Sequence, residues 1–90
     1  MNVLIEVKDG EYIGIIEDFW FIENGNSEEE VIYKLAESLK EFAIDYNNDL
    51  KLYKTTPNFN DMFTKLKGVI ENDVSSIIDT FEIKVKYKRD

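Results

Sequence analysis

Between Glu28 and Tyr46 the apolar side chains keep a single period. Ile32, Leu35, Ala36, Leu39, Phe42, Ala43 and Tyr46 stand at i, i+3, i+4, i+7, i+10, i+11 and i+14, which puts them on one side of an α-helix. A strand would scatter the same residues over both its faces. The start of this helix is marked as well. In Asn26-Ser27-Glu28-Glu29-Glu30, the Ser27 hydroxyl is placed to accept from the N–H of Glu30, and the Glu30 carboxylate to reach back to the N–H of Ser27, the arrangement of a capping box. Carboxylates in the first turn also face the positive end of the helix dipole, and Asn47-Asn48 closes the pattern. Such a helix must lay its stripe on a second layer, so the rest of the chain has to supply one.

The flanking segments read as that layer. Val3, Ile5 and Val7 alternate with Leu4, Glu6 and Lys8, a strand with one face well buried. Asp9-Gly10 suits a two-residue type I′ turn, because both central residues need positive φ. Glu11–Glu17 is the expected second strand, with Ile13 and Ile15 on one side and Tyr12, Gly14 and Ile16 on the other. Gly14 leaves a gap there, which implies a bulge or a close neighbour. Phe19–Glu23 is expected as a third strand. Beyond the helix, Leu50–Lys54 alternates like a short strand, and Phe59, Met62, Phe63, Leu66 and Ile70 have helical spacing, with Asn58 or Asn60 as cap and Gly68 near the end. Residues 74–80 fit either a helical turn or a connection. Phe81, Ile83, Val85 and Tyr87 alternate with Glu82, Lys84, Lys86 and Lys88, a strand apolar on one side. The expected fold is α+β: an antiparallel sheet of three N-terminal strands and a C-terminal one, packed on one main helix with a second, shorter helix, all in a single domain over residues 1–90.

Composition narrows the chemistry. The 90 residues contain no cysteine and no histidine, which removes thiol nucleophiles, disulfides, the commonest metal ligand and the commonest base near neutral pH. Charge is divided unevenly. Residues 1–49 hold 13 acids and three bases, a net of −10, and residues 50–90 hold six acids and eight bases, a net of +2, which together give −8. Glu17-Asp18 and Glu28-Glu29-Glu30 offer oxygen ligands for Mg²⁺, but neighbours on one helix point apart and read more simply as helix-start acids. No phosphate loop, nucleophile elbow or HExxH pattern occurs. Lys84, Lys86, Lys88 and Arg89 around Tyr87 make a small footprint for nucleic acid, and read more simply as the charged side chains that protect an edge strand. The first residues, Met1 to Glu6, lack a signal-peptide stretch, and apolar runs reach only four residues against the roughly 20 of a spanning helix, so the cytoplasm is the expected compartment. In Phe19-Trp20-Phe21-Ile22, one aromatic set either joins the core or stays exposed among Glu17, Asp18 and Glu23, as an anchor inside an acidic rim.

The hairpin with its Asp-Gly turn, the tyrosine-bearing second strand, the third strand and then Gly25-Asn26-Ser27-Glu28-Glu29-Glu30-Val31 resemble the HicB-type antitoxins over about residues 1–49, leaving residues 50–90 as a helix-plus-strand extension. In that family the run G-[DN]-[ST]-x-E-E-A opens a helix ending in an E-[AS]-hydrophobic pattern, and Ala36-Glu37-Ser38-Leu39 stands in that place. Val31 replaces the family's alanine, no Pro-Gly loop precedes the third strand, and residues 50–90 do not spell the family's usual DNA-binding part. The resemblance implies a partial ribonuclease H-like sheet without its catalytic acids. It also implies a protein, often dimeric, that binds and blocks a small basic mRNA-cleaving toxin. The expectation is therefore a non-enzymatic homodimer without metal, cofactor, membrane or direct nucleic-acid contact, binding its partner through Glu17, Asp18, Trp20, Glu23, Glu28 and Glu29. Two alternatives stand beside it: a stand-alone acidic inhibitor or nucleic-acid mimic of phage or anti-defence type, and a minor nuclease descended from the same sheet.

Overall fold

The computed structural model describes residues 1–57 and 59–88. Its elements run β1 (Asn2–Lys8), β2 (Glu11–Ile16), β3 (Phe21–Gly25), α1 (Glu28–Asn48), α2 (Leu50–Tyr53), α3 (Phe59–Glu71), α4 (Val74–Asp79) and β4 (Glu82–Tyr87). The sheet order is β3-β2-β1-β4. The β1–β2 turn carries Asp9 at φ 52° and Gly10 at φ 78°, as an Asp-Gly hairpin requires. Three strands are antiparallel, but β4 runs parallel to β1, pairing Asn2 with Glu82 through Val7 with Tyr87. The sheet expected to be antiparallel throughout is thus mixed. Four helices intervene between β3 and β4 and return the chain to the end where β1 began, and such a crossover makes a parallel neighbour.

All four helices lie on one side. Val3, Ile5, Val7 and Ile16 are buried against Val31, Leu35, Leu39 and Ala43 of α1, with Leu66, Val69 and Ile77 completing the core. The stripe is centred on Val31 and Leu35, with Ile32 only partly buried. Gly14 is explained by its neighbour: a Cβ there would lie well inside contact distance of Val31 Cγ1 and 2.8 Å from Leu35 Cδ1. The register runs through it without a bulge.

Residues 50–53 form the short helix α2, not a strand. The five alternating residues Leu50–Lys54 do not carry enough periodicity to decide, and an aromatic contact does: Tyr53 stacks on Tyr46 with centroids 4.3 Å apart. That pair belongs to a ladder of seven rings, Phe19–Phe21–Phe42–Tyr46–Tyr53 with Phe59 and Phe63, linking the β2–β3 turn to α3. Gly68 sits inside α3, which continues to Glu71. The suggested cap Asn58 lies outside the described residues, as does Arg89.

Tyr46 is 3% exposed, and its hydroxyl meets no hydrogen-bond partner among the described residues. Burying an unpaired hydroxyl costs about 1–3 kcal/mol. Tyr46→Phe keeps the stack and removes that cost, so urea unfolding is expected to show unchanged stability or a gain of about 1 kcal/mol. A loss of that size would mean the hydroxyl has a partner.

Candidate functional site

The third strand begins later than its aromatic run. Phe19 and Trp20 belong to the turn after β2, where the Ile16 carbonyl accepts from both of their N–H groups, at 3.3 and 2.8 Å. Trp20 is held there at φ 59° with 77% of its surface exposed. Positive φ is a strained conformation for a bulky residue. Phe19 and Phe21 turn inward to the ladder, so the exposed residues of the run are Trp20 and, at 63%, Ile22.

The six sequence-predicted binding residues do not form one patch. Glu17, Asp18 and Trp20 occupy the turn at one end of β3, while Glu28 and Glu29 begin α1 beyond the other end. The five residues of β3 separate the groups by about 16 Å. Two of the six have structural work. Asp18 accepts from the N–H of Asn2 at 3.2 Å and pairs with Lys65 of α3 at 3.6 Å. Glu23 accepts the Ser38 hydroxyl proton at 2.7 Å, tying β3 to α1.

α1 carries more exposed acids than any other element among the described residues. Glu28, Glu29, Glu37, Glu41 and Asp45 are all exposed. The two lysines of this helix turn elsewhere: Lys34 pairs with Glu30 at 3.2 Å and donates to the Asn24 carbonyl, while Lys40 donates to the carbonyls of Ile70 and Asn72 at the end of α3. Tyr33 and Ile44 are exposed on the same helix, at 52% and 42%. Sequence reasoning passed over both, although the signal was present: neither fits the apolar stripe. On β4, Lys84 and Lys86 point to the sheet face away from the helices and Tyr87 to the opposite one, so these lysines and the ring do not make the single surface that tracking a phosphate backbone would need. Among the described residues, no three His, Cys, Asp or Glu side chains converge as metal ligands, and no helix is long and apolar enough to cross a membrane.

The cap of α1 departs slightly from expectation. Ser27 Oγ accepts from the Glu30 N–H at 3.1 Å, but the Glu30 carboxylate reaches the N–H of Asn26, at 3.0 Å, one residue earlier than a capping box. That bond, helped by Lys34, holds the Glu30 carboxyl below its ordinary value of 4.5, and the Ser76 N–H does the same for Asp73, ordinarily 3.8, at the start of α4. A carboxyl lowered in the folded state contributes stability above its unfolded value and loses it as pH falls through the folded one. Stability is therefore expected to drop once pH is lowered past these values. Glu30→Gln removes one contribution, so its deficit against wild type in urea midpoint should narrow between about pH 6 and pH 3; a constant deficit would show that Glu30 does not carry it.

Residues 1–85 match the model of the PHD-like family, antitoxins of RelE/RelB toxin–antitoxin systems. The chain is also similar to the crystal structure of an antitoxin part of a proposed toxin/antitoxin system from Syntrophomonas wolfei subsp. wolfei, with 33% identity and a TM-score of 0.85. The match covers 93% of this chain and 62% of that one, so the chain spans a little under two thirds of that relative's length. No curated protein matches it. With a family model spanning almost every residue and a solved antitoxin of the same fold, the chain belongs to the PHD-like family of toxin–antitoxin antitoxins.

Proposed function

We propose that this protein neutralises a small basic toxin of the mRNA-cleaving kind by stoichiometric binding in the cytoplasm, occluding the toxin's active surface without catalysing a reaction. The observation that carries this reading is the outer face of α1, where Glu37, Glu41 and Asp45 are exposed while Lys34 is engaged with Glu30 and the Asn24 carbonyl and Lys40 with the end of α3. A toxin that grips RNA must present cations, and an unneutralised acidic face both steers it in and opposes them. Glu28 and Glu29 add exposed negative charge at the start of the same helix. Glu17 and Trp20 form a second contact at the far end of β3, with Asp18 and Glu23 holding the scaffold behind them. The closer kinship to HicB-type antitoxins, and a homodimeric state, belong to the same proposal.

Co-expression with the toxin encoded beside it is expected to yield a complex that suppresses RNA cleavage and dissociates as salt is raised from about 50 to 500 mM, since screening shortens the reach of exposed charges. A full set of candidate toxins giving no complex would overturn the reading. A second reading has one observation in its favour. Glu37, Glu41 and Asp45 recur one turn apart, at about 6 Å, a regular row such as a stand-alone nucleic-acid mimic would use. Inhibition of nucleic-acid-binding proteins in general, with no preference for the neighbouring toxin, would favour it.

A further inference from the structure

The helices cover only one face of the sheet. On the other, register places Ile22, Ile15 and Leu4 in one row across β3, β2 and β1, with Ile13 beside them. None of these four belongs to the core or packs against it, and Ile22 is largely exposed. A run of aliphatic side chains across three strands marks an interaction surface.

Charge identifies the occupant. The same face carries Glu6, Glu11, Glu82 and, opposite Asn2 at its rim, Glu17 against Lys8, Lys84 and Lys86, and Lys88 reaches over it to pair with Glu6 at 3.0 Å. Four lysines against four carboxylates leave this face neutral, so the whole −8 of the chain lies on the rest of its surface. Two copies that met through any other side would bring like charge to like; through this face they do not. A basic toxin, conversely, finds no net charge here to attract it. We infer that two copies stack back to back through their open sheet faces. This names the surface of the dimer in the proposal above and rests on that reading for its purpose, since it leaves both acidic α1 faces pointing outward, one toxin to each.

The size of the face sets the strength. Four strands of about six residues span roughly 20 by 20 Å, so two copies cover about 800 Å², the range of transient contacts. A dissociation constant near 100 µM is the corresponding expectation. Sedimentation equilibrium of the full chain without toxin, from about 20 µM to 1 mM, should show reversible dimerisation that high salt does not weaken, because the contact is apolar. Ile15→Lys and Ile22→Lys place like charges across the two-fold contact and should each raise the dissociation constant at least tenfold. Ile22 is exposed enough that its variant keeps the fold even if Ile15→Lys does not, and a thermal melt checks both. Both variants should still bind toxin with unchanged affinity for the single site. A monomer at 1 mM, variants that dimerise like wild type, or a dimer that salt dissociates would each overturn the inference. So would a monomeric wild type whose Ile22→Lys variant loses the toxin, since the face would then be the toxin's. Because self-association is measured on the chain alone, failure of the toxin reading leaves this result standing, and the reverse holds too.

Discussion

Gly14→Val is expected to lower the melting temperature by roughly 12 °C or more, since overpacking of this kind costs about 3 kcal/mol and each kcal/mol moves a domain of this size by about 4–8 °C. The cause is local and specific. The position faces α1, where an added Cβ collides with Val31 Cγ1 and comes within 2.8 Å of Leu35 Cδ1. Leu35 can swing its terminus aside, but Val31 is fully buried and β-branched, so it has almost no rotamer to retreat into. Gly14→Ala should therefore already cost about 2 kcal/mol. Val31→Ala combined with Gly14→Ala should recover most of the loss, a coupling that calorimetry of the single and double variants measures directly. Equal melting of wild type and Gly14→Val would mean that α1 does not lie this close to β2.

Reversing three charges on α1 is expected to weaken toxin binding about 100-fold at low salt, with the difference shrinking as salt is added. Glu37→Lys, Glu41→Lys and Asp45→Lys together are the suitable set. All three are exposed, and they lie past the first turn of the helix, where Glu28, Glu29 and Glu30 interact with the dipole. Lysine is as good a helix former as glutamate and suits the C-terminal half of a helix, so the fold should hold while the net charge moves from −8 to −2. Calorimetric titration at about 50 and 500 mM salt separates the contributions. An affinity unmoved at both concentrations would transfer the binding role to the Trp20 end of the sheet.

Much of this architecture could be read from local pattern. The stripe of α1 and the alternation in β4 repeat often enough to specify element and apolar face, the Asp-Gly pair marks its hairpin, and Gly14 left a bulge or a close neighbour open, of which the structure shows the neighbour. What could not be read depended on partners distant in sequence. Residues 50–53 are helical because Tyr53 finds Tyr46. Phe19 and Trp20 leave the strand because the Ile16 carbonyl gathers their N–H groups into a turn. The direction of β4 follows from the crossover before it. The binding residues were chosen by charge and nearness in sequence, and β3 then carried them apart. The outward residues of α1, Tyr33 and Ile44 among them, were legible as positions off the stripe, but only the inward engagement of Lys34 and Lys40 shows how acidic that side is.

The parallel ladder between β1 and β4 also orders events during synthesis. Asn2 pairs with Glu82, and at about 5–20 residues per second the ribosome needs roughly 4–16 s to deliver the second after the first. By then β2, β3 and α1 have emerged and can already clasp Val3, Ile5 and Val7 from two directions, yet the free margin of β1 still waits for its mate. Closure of the sheet is consequently the last act of folding, with the long loop that slows such pairings. In the finished molecule β4, like β3 at the opposite side, is an edge strand joined along one margin only, and its outward lysines discourage a further strand from pairing there.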